Sequence, residues 1–185
     1  MGAFGTINTL MLQNLASHGY VVFSLEHPYH STLIEFPDGR IIPYKADWMA
    51  PNDDAMTVSV TDQLLYMANT LYAESYDQYL VQIAGYLEEQ AILDQGLRLW
   101  VEDTAFILDL LARAGVSQYL KVDQFAGRLD LGKIGVFGMS FGGATAGAFC
   151  ARDNRCKAGI NMDGLQFGAY TKPREFILEK PFLMM

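Results

Sequence analysis

Short apolar runs alternate with stretches of helical periodicity in this chain, which predicts an α/β domain with a mostly parallel sheet. Three observations carry the prediction. Residues Lys133-Ile134-Gly135-Val136-Phe137-Gly138-Met139-Ser140-Phe141-Gly142-Gly143-Ala144 read as a buried strand, a sharp turn and the start of a helix. Lys157-Ala158-Gly159-Ile160-Asn161-Met162 reads as a second strand that ends at Asp163-Gly164. Residues 55–113 and 2–17 carry apolar positions at helical spacing, so helices separate the strands.

In chain order, Ile7, Leu10, Met11 and Leu15 mark a first helix over 2–17, which Gly19 stops; His18 at its end suits the helix dipole. Tyr20-Val21-Val22-Phe23-Ser24-Leu25 has the β-rich, unbroken apolar character of a strand buried on both faces. Residues 31–54 are rich in turn signals, and Phe36-Pro37-Asp38-Gly39-Arg40-Ile41 is suited to a small hairpin. From 55 to 113, one stripe holds Met56, Val60, Leu64, Met67 and Leu71; another holds Trp100, Thr104, Ile107, Leu108 and Leu111. A break is expected between Tyr76 and Gly85 or at Gly96. Tyr66, Tyr72, Tyr76, Tyr79 and Tyr86 fall in this insertion-like region, as half-buried helix surface or as part of a substrate-facing wall. The small residues Gly143, Ala144, Ala146, Gly147 and Ala148 suit a helix packed tightly on a sheet, and Phe182-Leu183-Met184 opens one more strand.

Gly138-x-Ser140-x-Gly142 inside the strand–turn–helix is a nucleophile-elbow pattern. A serine hydroxyl is a weak nucleophile at neutral pH, so it must be exposed, oriented and served by a base. A tight turn at a strand's carboxyl end exposes it at the cost of backbone strain, and glycines two residues before and after are expected to remove clashing side chains. The amide of Phe141, at the start of the helix, is then an oxyanion donor. The rival is an inert glycine-rich turn. A phosphate loop is excluded, because neither Gly-Lys-Ser/Thr nor G-x-G-x-x-G is present. Functional groups of parallel sheets gather at strand carboxyl ends. Asp163 ends the strand after the elbow helix, so it is expected beside Ser140 as the acid that orients a histidine; the alternative is a plain Asp-Gly turn.

Composition narrows the classes. The 185 residues fit a single domain, and 51% hydrophobic residues suffice for a core. A net charge of −8 without a basic patch argues against a nucleic-acid partner. No apolar run reaches the length of a transmembrane helix. The carboxylates and histidines lack metal-ligand spacing such as H-E-x-x-H, so neither metal nor cofactor is expected. Cys150 and Cys156 bracket a short polar link, which fits either a disulfide or two buried thiols. A secreted or periplasmic location goes with the disulfide; location is otherwise open, as is the oligomeric state.

Gly138-Met139-Ser140-Phe141-Gly142-Gly143-Ala144-Thr145, followed by Cys156-Lys157-Ala158-Gly159-Ile160-Asn161-Met162-Asp163, resembles the platelet-activating factor acetylhydrolase family and the related dienelactone-hydrolase-like esterases. Ala16-Ser17-His18-Gly19-Tyr20-Val21-Val22 through Glu26-His27 is similar to the same family's early helix–strand segment. The similarity covers about 2–31 and 95–165, and 32–94 only loosely. It implies an α/β-hydrolase fold across 1–185, truncated at both ends, with a helical insertion-like region at about 55–113. It also implies a serine ester hydrolase acting through an acyl-enzyme on short-acyl or phospholipid-type esters, with Ser140 as nucleophile and Asp163 as acid. The second oxyanion donor is expected from backbone near Met1-Gly2. His27 matches a family histidine that is not the base, which gives it a structural or supporting role beside the site.

The order in such a fold is serine, acid, histidine. The three histidines here, His18, His27 and His30, all precede Ser140; the rival reading makes His27 or His30 the base, since both follow an expected strand end. The expectation is therefore an internal portion of a larger hydrolase or the product of a truncated gene. The competing class is a non-catalytic α/β-hydrolase-like protein that serves as a binding or structural module.

Overall fold

The structure is a computed structural model that describes residues 8–45, 72–75, 77–79, 81–82, 91–113, 125, 127–164, 166 and 178–185. The stripe expected at Met56–Leu71 and the tyrosines Tyr66, Tyr76 and Tyr86 lie outside the described residues. The chain divides into two compact units, Met1–Thr57 and Val58–Met185.

In the first unit, helix α1 spans Thr9–Ser17. The backbone turns out of it at Gly19, whose φ of 91° belongs to the left-handed region that glycine reaches without strain. The His18 ring hydrogen-bonds the Asn14 carbonyl at 2.9 Å, which satisfies an acceptor of the last turn. Strands β1 (Leu33–Glu35) and β2 (Ile41–Pro43) pair antiparallel, with Ile34 opposite Ile42. Phe36 and Arg40 close the hairpin: the Phe36 amide donates to the Arg40 carbonyl at 2.8 Å, and Gly39 takes φ 82°. The Arg40 guanidinium lies 4.9 Å from the Phe36 ring centroid and bonds Asp38 at 2.7 Å. The hairpin expected from Pro37-Asp38-Gly39 is therefore present.

The strand expected over Tyr20–Leu25 is not: these residues belong to neither sheet, and Tyr20, Val21 and Phe23 are exposed. Apolar β-prone residues supply side chains for a strand, but a strand forms only against a neighbour that completes its ladder.

In the second unit, helix α2 spans Ala91–Ala112, strand β3 Ile134–Met139, helix α3 Phe141–Arg152, strand β4 Cys156–Met162 and strand β5 Phe182–Met184. The three strands form one parallel sheet in the order β3-β4-β5. Of the two places expected for a break, Gly96 does not interrupt α2, and residues 76–85 lie partly outside the described residues. A glycine costs a helix interior about 1 kcal/mol, and here the turn around it is held by the buried Leu97 and Val101. Leu97, Val101, Phe141, Ala144, Ala148 and Phe149 form the core between α2 and α3. Trp100 meets Phe141 edge to face, with ring centroids 4.7 Å apart. Tyr79 packs on this core, whereas Tyr72 is exposed. Among the described residues, no helix is long and apolar enough to cross a membrane.

The carboxyl end of α3 is pinned three times. Cys150 and Cys156 form a disulfide, with Cα atoms 5.1 Å apart. The Lys180 ammonium donates to the carbonyls of Cys150 (2.6 Å) and Asp153 (2.7 Å), where cation and helix dipole attract. Arg155 grips Asp153 through Nη2 (2.6 Å) and Nε (3.0 Å), and also donates to Asp109 on α2.

The hydrogen bond from Arg155 holds the Asp153 carboxyl below its usual value of 3.8. Because the folded value is depressed, the contribution is complete above the unfolded value and is lost as pH falls through the folded one. Melting curves between about pH 5 and about pH 2 are expected to show an extra loss of about 0.5–1 kcal/mol that Asp153→Asn abolishes. An unchanged acid profile in that variant would contradict the assignment.

Candidate active site

The elbow begins with what Gly138 must avoid. A Cβ on Gly138 would lie 2.3 Å from both the carbonyl carbon and the carbonyl oxygen of Gly142, nearer than atoms can approach. Strand β3 and the first turn of α3 are thus in backbone contact. Gly142 itself is different: a Cβ there would meet nothing within 4 Å. The expectation that both glycines remove clashing side chains therefore holds for Gly138 and fails for Gly142, whose backbone, not its side-chain position, is in contact.

Ser140 closes this turn with φ 53° and ψ −120°, a region L-residues enter at a cost of about 1–3 kcal/mol. Its amide donates to the Met162 carbonyl at 2.8 Å, and its carbonyl accepts the first helical bond from Ala144 at 3.0 Å. These bonds tie the strained residue to the end of β4 and to α3. Ser140 is exposed, and Phe141 directly after it is the first residue of α3. The N–H groups of a helix's first turn point outward along its axis, which directs the Phe141 amide toward the elbow.

The register sets Met139 opposite Met162, so Ser140 and Asp163 follow at adjacent strand ends. Asp163 is exposed and has φ 56°, a second non-glycine residue held in the left-handed region. Its amide donates to Met185 at 2.9 Å. Gly164, next in line, is packed on the elbow: a Cβ there would lie 2.3 Å from the Ser140 carbonyl oxygen and 2.8 Å from the Ala144 nitrogen. The structure thus brings the turn carrying Asp163 against the turn carrying Ser140. Asp163-Gly164 is a turn pair, as one alternative held, and it sits at the elbow, as the other required.

Met1 is outside the described residues. His27 belongs to the first unit and is 6% exposed, with its carbonyl accepting from the amides of His30 and Ser31 at 3.0 Å. Among the described residues, no group of three or more His, Cys, Asp or Glu side chains could hold a metal ion.

Sequence reasoning passed over Asn161 and Gln166. Asn161 is a buried amide at an inward position of an apolar strand, and that placement is itself a detectable signal. The Gln166 amide lies along the glycine face of α3, donating to the Gly143 carbonyl at 3.3 Å. Its Oε1 is buried without a hydrogen-bond partner among the described residues.

Comparison with known proteins bears on this geometry. Residues 110–185, which contain the elbow and the Asp163 turn, match the family described as platelet-activating factor acetylhydrolase, isoform II. A platelet-activating factor acetylhydrolase from Cavia porcellus is 29% identical over 90% of this chain and 34% of its own length. A protein from Arthroderma benhamiae, named "Probable 1-alkyl-2-acetylglycerophosphocholine esterase", is 25% identical over 88% of this chain and 34% of its own length. A ferulic acid esterase from Streptomyces cinnamoneus superposes with a TM-score of 0.59 at 26% identity, covering 99% of this chain and 38% of that one. The chain therefore spans about a third of the length of the curated relatives it matches. In fold and in sequence the chain is thus similar to esterases of the α/β-hydrolase type. The part that carries the elbow and the Asp163 turn resembles the platelet-activating factor acetylhydrolases.

The two elbow glycines separate experimentally. Gly138→Ala is expected to lower stability by more than about 3 kcal/mol, because backbone must move to admit the new carbon. Gly142→Ala is expected to stay within about 0.5 kcal/mol of the parent. Equal losses in thermal or urea unfolding would contradict the packing described.

Proposed function

We propose that this chain carries the nucleophile and the acid of a serine ester hydrolase that works through an acyl-enzyme. The observation behind it is Ser140: an exposed serine in a strained elbow, packed against a strand-end turn that carries Asp163. A nucleophile gains exposure and a fixed attack direction from such a turn.

In this reading Ser140 Oγ attacks an ester carbonyl. Its proton passes to a histidine base, and the carbonyl oxygen becomes an oxyanion that the Phe141 amide stabilises. Collapse expels the alcohol, which takes the proton from the histidine, and water then releases the acid by the reverse roles. Asp163 orients the histidine and stabilises its imidazolium. In the serine–acid–histidine order the base follows the acid. His18, His27 and His30 all precede Ser140, and none is assigned as the base. A second oxyanion donor from backbone near Met1-Gly2 belongs to this proposal, as does a supporting role for His27.

The names of the relatives favour short-acyl esters, including acetyl esters of glycerophospholipids. The ferulic acid esterase admits an aromatic acyl group instead. A non-catalytic binding role is the other reading.

Turnover of nitrophenyl acetate, butyrate and octanoate, and of an acetylated glycerophospholipid, tests the proposal. Ser140→Ala is expected to lower kcat about a thousandfold or more, and Asp163→Asn by about a hundredfold to ten-thousandfold, with both variants folded. Parent-like hydrolysis by Ser140→Ala would overturn the nucleophile; a folded protein that supplies a histidine after Asp163 and still hydrolyses no ester would favour the binding role.

A further inference from the structure

Asn161 is the most completely buried polar residue of the sheet, at 1% exposure in a strand otherwise built of apolar residues and glycine near its end. Burying an amide is unfavourable unless its groups are bonded, and both groups here are. Nδ2 donates to the Gly164 carbonyl at 2.7 Å, and the Gly164 amide donates to Oδ1 at 2.8 Å. One group must donate and the other accept, and the carboxamide does both at once. These two bonds bridge across Met162 and Asp163 and hold Asp163 in its left-handed conformation.

The same side chain faces the elbow. Asn161 stands opposite Gly138 in the sheet register. Its Oδ1 would lie 2.1 Å from a Cβ on Gly143, so the first turn of α3 comes against it only because residue 143 is glycine. Gly164, which it clamps, packs on the Ser140 carbonyl. The Ser140 amide is bonded to Met162, the residue directly after Asn161. One carboxamide thus touches both turns.

We infer that Asn161 is a positioning residue that fixes the Asp163 turn against the Ser140 elbow, so that acid and nucleophile keep one mutual geometry. It never meets the substrate. Its role in the reaction rests on the acyl-transfer reading above; its coupling of the two turns does not.

Two variants test the inference. Asn161→Asp keeps the shape and the acceptor but sets a carboxylate oxygen against the Gly164 carbonyl. Asn161→Ser is a milder change that shortens the side chain. Amide hydrogen exchange by NMR reads the coupling without any need for turnover. The exchange rates of Gly164, Asp163 and Ser140 are expected to rise about tenfold or more, while those of Gly135–Phe137 and of Ala146–Phe149 stay within about twofold. Kinetics on the nitrophenyl esters read the consequence. The kcat is expected to fall about tenfold to a hundredfold, with KM changed by less than about twofold.

Unchanged exchange at Ser140 would overturn the coupling. A uniform rise through β3 and α3 would reduce Asn161 to a general fold residue. Locally raised exchange with parent kcat would overturn its role in the reaction. A folded parent that turns over no ester sinks the acyl-transfer reading alone, and the exchange pattern then decides the coupling by itself.

Discussion

The backbone contact between Gly138 and Gly142 is the constraint on which the site depends. Strand β3 and helix α3 approach so closely there that only a hydrogen fits between them. That approach forces a turn too tight for ordinary dihedrals, and the residue at its apex, Ser140, takes positive φ. The strain is offset by bonds at both ends of the residue: its amide to Met162 and its carbonyl to Ala144. A serine held this way has a fixed backbone before any substrate arrives, which in the proposed acyl transfer lowers the entropic part of the barrier.

The elbow stays in place because α3 is anchored along its length. Its inner side packs on α2 through Phe141, Ala144, Ala148 and Phe149. The Cys150–Cys156 disulfide, Lys180 and Arg155 secure its far end, and Arg155 reaches Asp109 to join α2. Gly159 completes the fit: a Cβ there would lie 2.5 Å from the Phe182 ring and 3.1 Å from the Cys150 sulfur, so β4 and β5 close beneath the helix only around a glycine. Sheet and helix therefore present Ser140 from a rigid base, and the second turn, at Asp163, is locked to it by Asn161 and Gly164.

Much of this was legible in the sequence, for physical reasons that differ by element. The elbow was legible because a strained turn restricts residue types so severely that glycine and serine stand out. Strands β3, β4 and β5 were legible as short apolar runs in an alternating pattern, and the hairpin through its Pro-Asp-Gly signal. The run Tyr20–Leu25 misled because side-chain propensity does not disclose whether a partner strand is present. Gly96 misled because helix propensity is weak beside the packing of Leu97 and Val101. The need for glycine at 138 but not at 142 was hidden, since motif spacing carries no information on which atom occupies which space. Asn161 and Lys180 act through carbonyls and amides distant in sequence, and such partners become visible only in three dimensions.

In the proposed reaction the elbow makes Ser140 a nucleophile, beyond shaping a turn. Reaction of the folded protein with a fluorophosphonate ester, followed by peptide mass spectrometry, tests it most directly, because the reagent bonds covalently only to an activated serine. The account predicts one adduct per chain, located at Ser140. A folded protein that takes up no label, or takes it up at another serine, would contradict the account.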